Sequence, residues 1–215
     1  MADKMITSKP NLQRGVSLIE TMVTVAVIGI MLGVGLPSLA VWMKSNQIKS
    51  SSQNILTGLQ LARGEAVRQN SRVLFQLTDS GATGVPTWTV WSYSSQPCQT
   101  VANAFPCPIE SSQSSEGGNT ARIGVNADDI SGAGYSYTTA IAAGTGMGVS
   151  PRPGVVFNAF GQVLNDGAAN AIATRITRID ITDARETRAR RMVVRIPAGG
   201  SATMCDPAAK NSQGC

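Results

Sequence analysis

Three stretches of different hydrophobic rhythm follow one another along the 215-residue chain. From Thr21 to Met43, 23 residues pass without an ionisable side chain. As a helix this run spans roughly 35 Å, enough to cross a hydrocarbon layer of about 30 Å. The rhythm then changes. Ile48, Ser52, Ile55, Leu59, Ala62 and Ala66 recur at alternating spacings of four and three, while Lys49, Arg63 and Arg68 fall elsewhere on the surface. That stripe predicts an amphipathic helix with one face laid on a sheet. Together the two stretches predict one nearly continuous helix from Val16 to Gln69, about 80 Å long. Gly58 and Gly64 weaken it by about 1 kcal/mol each. After Asn70 the pattern shortens to β-branched and aromatic runs at 73–77, 87–93, 154–157, 162–164, 175–182 and 191–196. The Ser/Gly/Asn-rich segment from Glu110 to Asn119 reads as a surface loop.

Charge flanking the first stretch orients it. Lys4, Lys9 and Arg14 precede it against the single acid Asp3, so the N-terminus is expected on the cytoplasmic side and everything after Lys44 outside. Two features do not suit a simple anchor. Glu20 stands at the edge of the apolar run, where a carboxylate deep in a membrane costs on the order of 2–3 kcal/mol. Pro37 lies inside it and predicts a kink by freeing the carbonyl of Gly33. Gly29 and Gly33 form a G-x-x-x-G spacing that admits a neighbouring helix, although membrane helices also tolerate glycine without such a role. An ordinary secretory signal cut after Ser38-Leu39-Ala40 is the competing reading, but its apolar core is normally shorter and carries no acid.

Composition narrows the chemistry. Histidine is absent, which excludes Ser–His–Asp triads, Cys–His dyads and histidine-bearing zinc sites. Charged residues are 14% of the sequence, against about 25% in an ordinary soluble domain. No cluster of carboxylates, lysines or tyrosines suggests an enzyme, and no cofactor is expected. Gly144-Thr145-Gly146-Met147-Gly148 lacks the following helix that a phosphate-cradling loop needs, and reads as a loop. Asp128-Asp129 is weak as a calcium signature. The cysteines Cys98, Cys107, Cys205 and Cys215 all follow the apolar run, and their even number suits an oxidising compartment. Three connectivities are open; pairing Cys98 with Cys107 and Cys205 with Cys215 closes two short local loops. A zinc site of four thiolates has no C-x-x-C spacing to support it.

The residues Arg14-Gly15-Val16-Ser17-Leu18-Ile19-Glu20 resemble the leader junction of type IV pilins and type II secretion pseudopilins. The resemblance implies prepilin peptidase cleavage between Gly15 and Val16 and N-methylation of Val16. Glu20 becomes the fifth mature residue, where the family carries a glutamate, and Pro37 the twenty-second, where it carries a helix-bending proline. Val16 departs from the usual phenylalanine. The implied fold is α+β: a long helical spine, membrane-spanning in its first half, packed on a C-terminal antiparallel β-sheet domain. The implied organisation is a leader over 1–15, an assembly helix over 16–43, its amphipathic continuation over 44–70 and a periplasmic β-rich domain over 71–215. A buried ammonium at Val16 of one subunit paired with Glu20 of another offsets much of the burial cost of both.

Val155 to Val163 and Arg190 to Ile196, with Gly199-Gly200 and Cys205-Asp206-Pro207 beyond, resemble the narrower GspH/FimT group of minor pilins and pseudopilins. That resemblance implies no enzyme activity. It implies assembly with other major and minor pilins or pseudopilins through the helix, processing by the peptidase, and an inner-membrane assembly platform. A minor type IV pilin is the first expectation, and a minor pseudopilin of type II secretion the second. Arginines crowd the late sequence: Arg175, Arg178, Arg185, Arg188, Arg190, Arg191 and Arg195 meet only Asp180, Asp183 and Glu186. Arg188, Arg190, Arg191 and Arg195 are candidates for contacting DNA, as some FimT-like pilins do. The family element linked to that activity is Gly-Arg-x-Arg, and here its place holds Gly200-Ser201-Ala202-Thr203. A solvated hairpin face with cross-strand ion pairs is the favoured reading of the arginines.

Overall fold

The computed structural model describes residues 15–79, 83–93, 107–112, 120–132, 135–210 and 214–215, without the side chains of 34–37, 168, 170 and 171. Two compact units divide the molecule, 1–40 and 41–215.

Helix α1 runs Leu18–Gln69. Ser17 begins it, its carbonyl accepting from the backbone N–H of Glu20 at 3.0 Å and Thr21 at 3.2 Å. Asn70 ends it in the left-handed region at φ 48°, a conformation its short polar side chain tolerates. The helical assignment passes through Pro37, whose side chain lies outside the described residues, as does the kink expected there.

In the second unit, the stripe read from the sequence is the buried face: Ile48, Ser52, Ile55, Leu59, Ala62 and Ala66 are each at most 1% exposed. Two sheets share this core. The first has the order β3-β2-β1-β5-β6, from β1 Val73–Leu77, β2 Trp88–Ser92, β3 Cys107–Ser112, β5 Pro153–Phe157 and β6 Thr174–Arg175. The second has the order β4-β7-β8-β9, from β4 Ala121–Asn126, β7 Arg178–Asp183, β8 Met192–Arg195 and β9 Thr203–Cys205. All pairings are antiparallel except β5 with β6, which is parallel.

Alternation along β1 explains why it reads as an almost unbroken apolar run. Val73, Phe75 and Leu77 join the core that α1 covers, whereas Leu74 joins Val156, Ala169 and Ala173 on the opposite face. That face is covered by α2, Gly167–Ile172, whose N-cap Asp166 accepts from the Ala169 N–H at 2.6 Å. A strand buried on both faces has no polar face to show. Gly58 lets Trp88 come close: a Cβ there would lie 2.7 Å from the indole. The indole Nε1 donates to Asn54 Oδ1 at 2.7 Å, and Ser112 Oγ donates to the same oxygen at 2.8 Å, so one helix residue pins β2 and β3.

Several strand expectations need correction. Glu110 to Ser112 belongs to β3 and is not loop; 113–119 lies outside the described residues. Residues 162–164 form no strand, only a bridge from Val163 to Phe157. The turn before them is built by Asn158, whose Oδ1 accepts from Phe160 N and Gln162 N at 2.9 and 3.0 Å. Strands β3, β4 and β9 and helix α2 were not expected. The glycine-rich 144–148 segment is a turn, yet it is part of the core assembly. Gly144 N donates to Ile123 O, Thr145 O accepts from Val125 N, and Met147 is 1% exposed. It thereby covers the free edge of β4.

Candidate functional site: the exposed apolar helix and the arginine cluster

In the first unit the described apolar side chains of α1 have no protein around them. Leu18 is 77% exposed, Ile30 70% and Met31 69%, and the 18-residue window of highest hydropathy is entirely unburied. Exposed apolar surface on this scale marks a face that meets lipid or other proteins. Val16 and Glu20 are exposed at its start. Glu20 is the third helical residue, three after Ser17, the spacing of a capping box. A carboxylate in the first turn of a helix is in general stabilised by the helix dipole.

In the second unit, residues 44–47 of the same helix are tied to the second sheet. Lys44 Nζ lies 3.9 Å from Asp183 Oδ2 and 2.9 Å from Thr120 Oγ1. The Thr120 hydroxyl reaches both Asp183 at 2.5 Å and Gln47 at 2.9 Å. Burial alone would push the Asp183 pKa up. The Thr120 hydroxyl, the N–H groups of Arg185 and Glu186 and the Lys44 charge outweigh it and hold the carboxyl below its ordinary value.

The late arginines are only partly a solvated face: Arg185, Arg188 and Arg190 are exposed, as expected, whereas Arg178 and Arg191 are drawn into a covered network. Arg178 is 3% exposed and Asp180 fully buried, because residues 135–141 lie over that side of β7 while Ile179 and Ile181 face the core. Arg178 Nε donates to Asp180 Oδ1 at 2.6 Å and Nη2 to Oδ2 at 2.9 Å. The same guanidinium donates to Thr139 O at 2.7 Å and to Tyr135 Oη at 3.2 Å. Arg191 bonds Asp180 Oδ2 and donates to Tyr137 O at 2.5 Å, and Ile141 N donates to Asp180 Oδ2 at 3.0 Å. Burial opposes the Arg178 charge, but Asp180 and Tyr135 more than compensate and raise its pKa.

The four candidate DNA contacts are dispersed among different partners. Arg188 pairs with Glu186 at 3.1 Å, Arg190 with Asp206 at 2.7 Å and Arg191 with Asp180, while Arg195 lies 5.8 Å from the Tyr137 ring centre. Among the described residues they do not converge on one open basic surface. Ser201, in place of a family arginine, accepts from Arg63 Nη1 at 3.3 Å, and Arg63 Nε donates to Gly161 O at 3.0 Å. Gly200, at φ +79°, packs where a Cβ would lie 2.0 Å from that carbonyl oxygen.

Cys205 and Cys215 are joined, with Cα atoms 5.2 Å apart. Cys107 is also disulfide-bonded, and Cys98 lies outside the described residues. No group of three or more potential metal ligands occurs among the described residues.

A helix that is apolar and bare in its first half and core-forming in its second, carrying a sheet domain, defines a pilin-like protein. The chain belongs to the family described as type II transport protein GspH, which matches residues 51–200, and the prokaryotic N-terminal methylation motif matches residues 10–36. It is a minor type IV pilin or pseudopilin of the GspH/FimT type. Proteins of this class are structural. Its apolar helix fits membrane anchoring, with the rest of the protein following the anchor.

Solved structures that are similar to it include a pilin and a pseudopilin. The type IV minor pilin FimU of Pseudomonas aeruginosa PAO1 is 14% identical, with 80% of this protein and 98% of that one covered and a TM-score of 0.45. The minor pseudopilin EpsH from the type 2 secretion system of Vibrio cholerae is 13% identical, with 77% and 99% covered and a TM-score of 0.43. No curated protein matches the sequence.

Proposed function

We propose that this protein is a minor type IV pilin that is cut between Gly15 and Val16 by a prepilin peptidase, methylated at Val16, and packed into a filament through its bare helix. The observation that carries the reading is the contrast within α1: the described apolar side chains between Leu18 and Met43 are largely exposed, whereas the stripe from Ile48 to Ala66 is consumed by the protein's own core. A lone anchor needs the first property only. The matched methylation motif spans the Gly15–Val16 bond and Glu20, which supports processing there. In the filament, Glu20 accepts the ammonium of a neighbour's Val16, and an unpaired carboxylate at that depth disfavours wrong registers. The β-domain faces outward, and the action is packing rather than catalysis, without a cofactor. Partners are other pilins along the helix, the peptidase, and an inner-membrane assembly platform from which the subunit helps to prime growth.

The same architecture serves as a second reading, a minor pseudopilin of type II secretion, which membership of the type II transport protein GspH family favours. The cysteine-closed C-terminal tail favours the pilus. Deleting the gene separates them: loss of surface filaments with secretion intact supports the first reading, and the converse supports the second.

Glu20→Gln tests the pairing. Glutamine keeps the capping-box acceptor but removes the charge. Processing should proceed while incorporation into sheared filaments falls as far as in Glu20→Ala. Normal incorporation of the glutamine variant would reduce Glu20 to a helix cap.

A further inference from the structure

Two late arginines stand apart from the ion-paired ones. Arg178, Arg188, Arg190 and Arg191 all meet carboxylates, but Arg175 and Arg195 make no side-chain hydrogen bond or ion pair among the described residues. The Nε of each is buried and unbonded. A buried donor left unpaired is unfavourable, and two guanidiniums held near one another repel. Both line a single cleft of about 350 Å³ between β6 of one sheet and the β8–β9 turn of the other.

The rest of the lining says what the cleft suits. Asp129 also borders it and is kept ionised by the hydroxyl and N–H of Ser131, with the nearby Arg175 charge adding to them, so Arg175 is partly compensated and the charge there sums to one positive. Asp129 opposes any anion there, a dianion about twice as strongly as a singly charged one, so the cleft suits the lower charge. Ile130, Ile196 and Pro197 supply apolar walls beside the arginines. Arg195 lies 5.8 Å from the centre of the Tyr137 ring, which restrains the guanidinium before a ligand arrives. Planar guanidiniums bond both carboxylates and phosphates bidentately, and a net single positive charge suits the singly charged carboxylate. The volume is that of a small-ligand site, enough for one amino-acid side group and its immediate neighbours.

We propose that this cleft binds a carboxylate presented by a short acidic peptide segment of another protein, an Asp or Glu lying against Arg175 and Arg195 with flanking apolar residues on Ile130, Ile196 and Pro197. This inference does not depend on whether the filament is a pilus or a secretion pseudopilus.

The test uses the full-length protein in an uncharged detergent, titrated with acetyl-Leu-Asp-Leu-amide. Calorimetry and the 15N resonances of the arginine Nε–H groups are followed together. Saturable one-to-one binding is expected, with Kd on the order of 1 mM or tighter, and with two arginine resonances shifting. The Asn counterpart of the peptide should bind at least about tenfold more weakly, as should the acidic peptide to Arg175→Gln or Arg195→Gln. The wild-type resonances decide the matter even if a variant fails to fold. No heat and no shift up to about 10 mM peptide, or equal binding of the Asn peptide, overturns the proposal. So does tighter binding of inorganic phosphate or of an oligothymidylate at the same two resonances.

Discussion

Replacing Asp180 by Ala is the severest test of how the second sheet is organised. The carboxylate is fully buried, receives two bonds from Arg178 at 2.6 and 2.9 Å, bonds Arg191, and accepts the Ile141 N–H at 3.0 Å. Removing it leaves the 3%-exposed Arg178 guanidinium without its counter-ion. Breaking a buried pair from one side costs about 3–5 kcal/mol. For a domain of this size each kcal/mol lowers Tm by about 2–4 °C, so a fall of roughly 6–20 °C is expected. Residues 135–141 also lose the group that fastens them to β7, and amide exchange at Ile141 should accelerate before global unfolding. Thermal melts by circular dichroism, with the protein in detergent, read the first effect and hydrogen exchange the second. Adding Arg178→Met to Asp180→Ala removes the stranded charge and should restore part of the loss. A change within about 0.5 kcal/mol, the range of surface substitutions, would refute the claim that this network is buried and structural.

Other substitutions probe separate contacts. Gly58→Val drives a side chain into the Trp88 indole, already 2.7 Å from an added Cβ, and should cost about 1–3 kcal/mol through overpacking, measured by denaturant titration. Acid should weaken the domain through Asp183. Its folded pKa is lowered, so its contribution is complete above the unfolded value near 3.9 and is lost as pH falls through the folded value. Stability profiles of wild type and Asp183→Asn should therefore run parallel above about pH 4 and converge as the pH falls below it. Cys215→Ser opens a loop with a sequence separation of 10 and should cost about 3 kcal/mol or less, seen as a lower Tm with the fold retained.

How much of this was legible in the sequence follows from where periodicity survives. The α1 stripe was readable because six positions on one face repeat over 19 residues, from Ile48 to Ala66. Strands β1 and β2 were readable because β-branched and aromatic residues bunch between turn residues. Strand β4 was missed because Ala121-Arg122-Ile123-Gly124-Val125-Asn126 has a glycine in its middle. That glycine is there for Ala142, whose carbonyl oxygen would lie 2.2 Å from an added Cβ. Strand β3 was missed because most of Cys107–Ser112 is exposed or half-exposed and polar, with only Ser112 buried. The arginine network shows the opposite failure. Arg178 and Asp180, two apart on a strand, share a face, but only the covering segment 135–141 decides whether that face is wet. A lengthy polar loop carries no periodic signal of what it will cover.

The methylation motif was legible for a different reason: its residues are contiguous in sequence and need no tertiary contact to be recognised.

The central claim is that the bare half of α1 is made for a filament. Mass spectrometry of the protein recovered from sheared filaments tests it most directly. The account predicts a mature polypeptide beginning at Val16 and carrying one added methyl group. A polypeptide absent from filaments and retaining residues 1–15 in cells with an active prepilin peptidase, or one beginning at Val41, would contradict it.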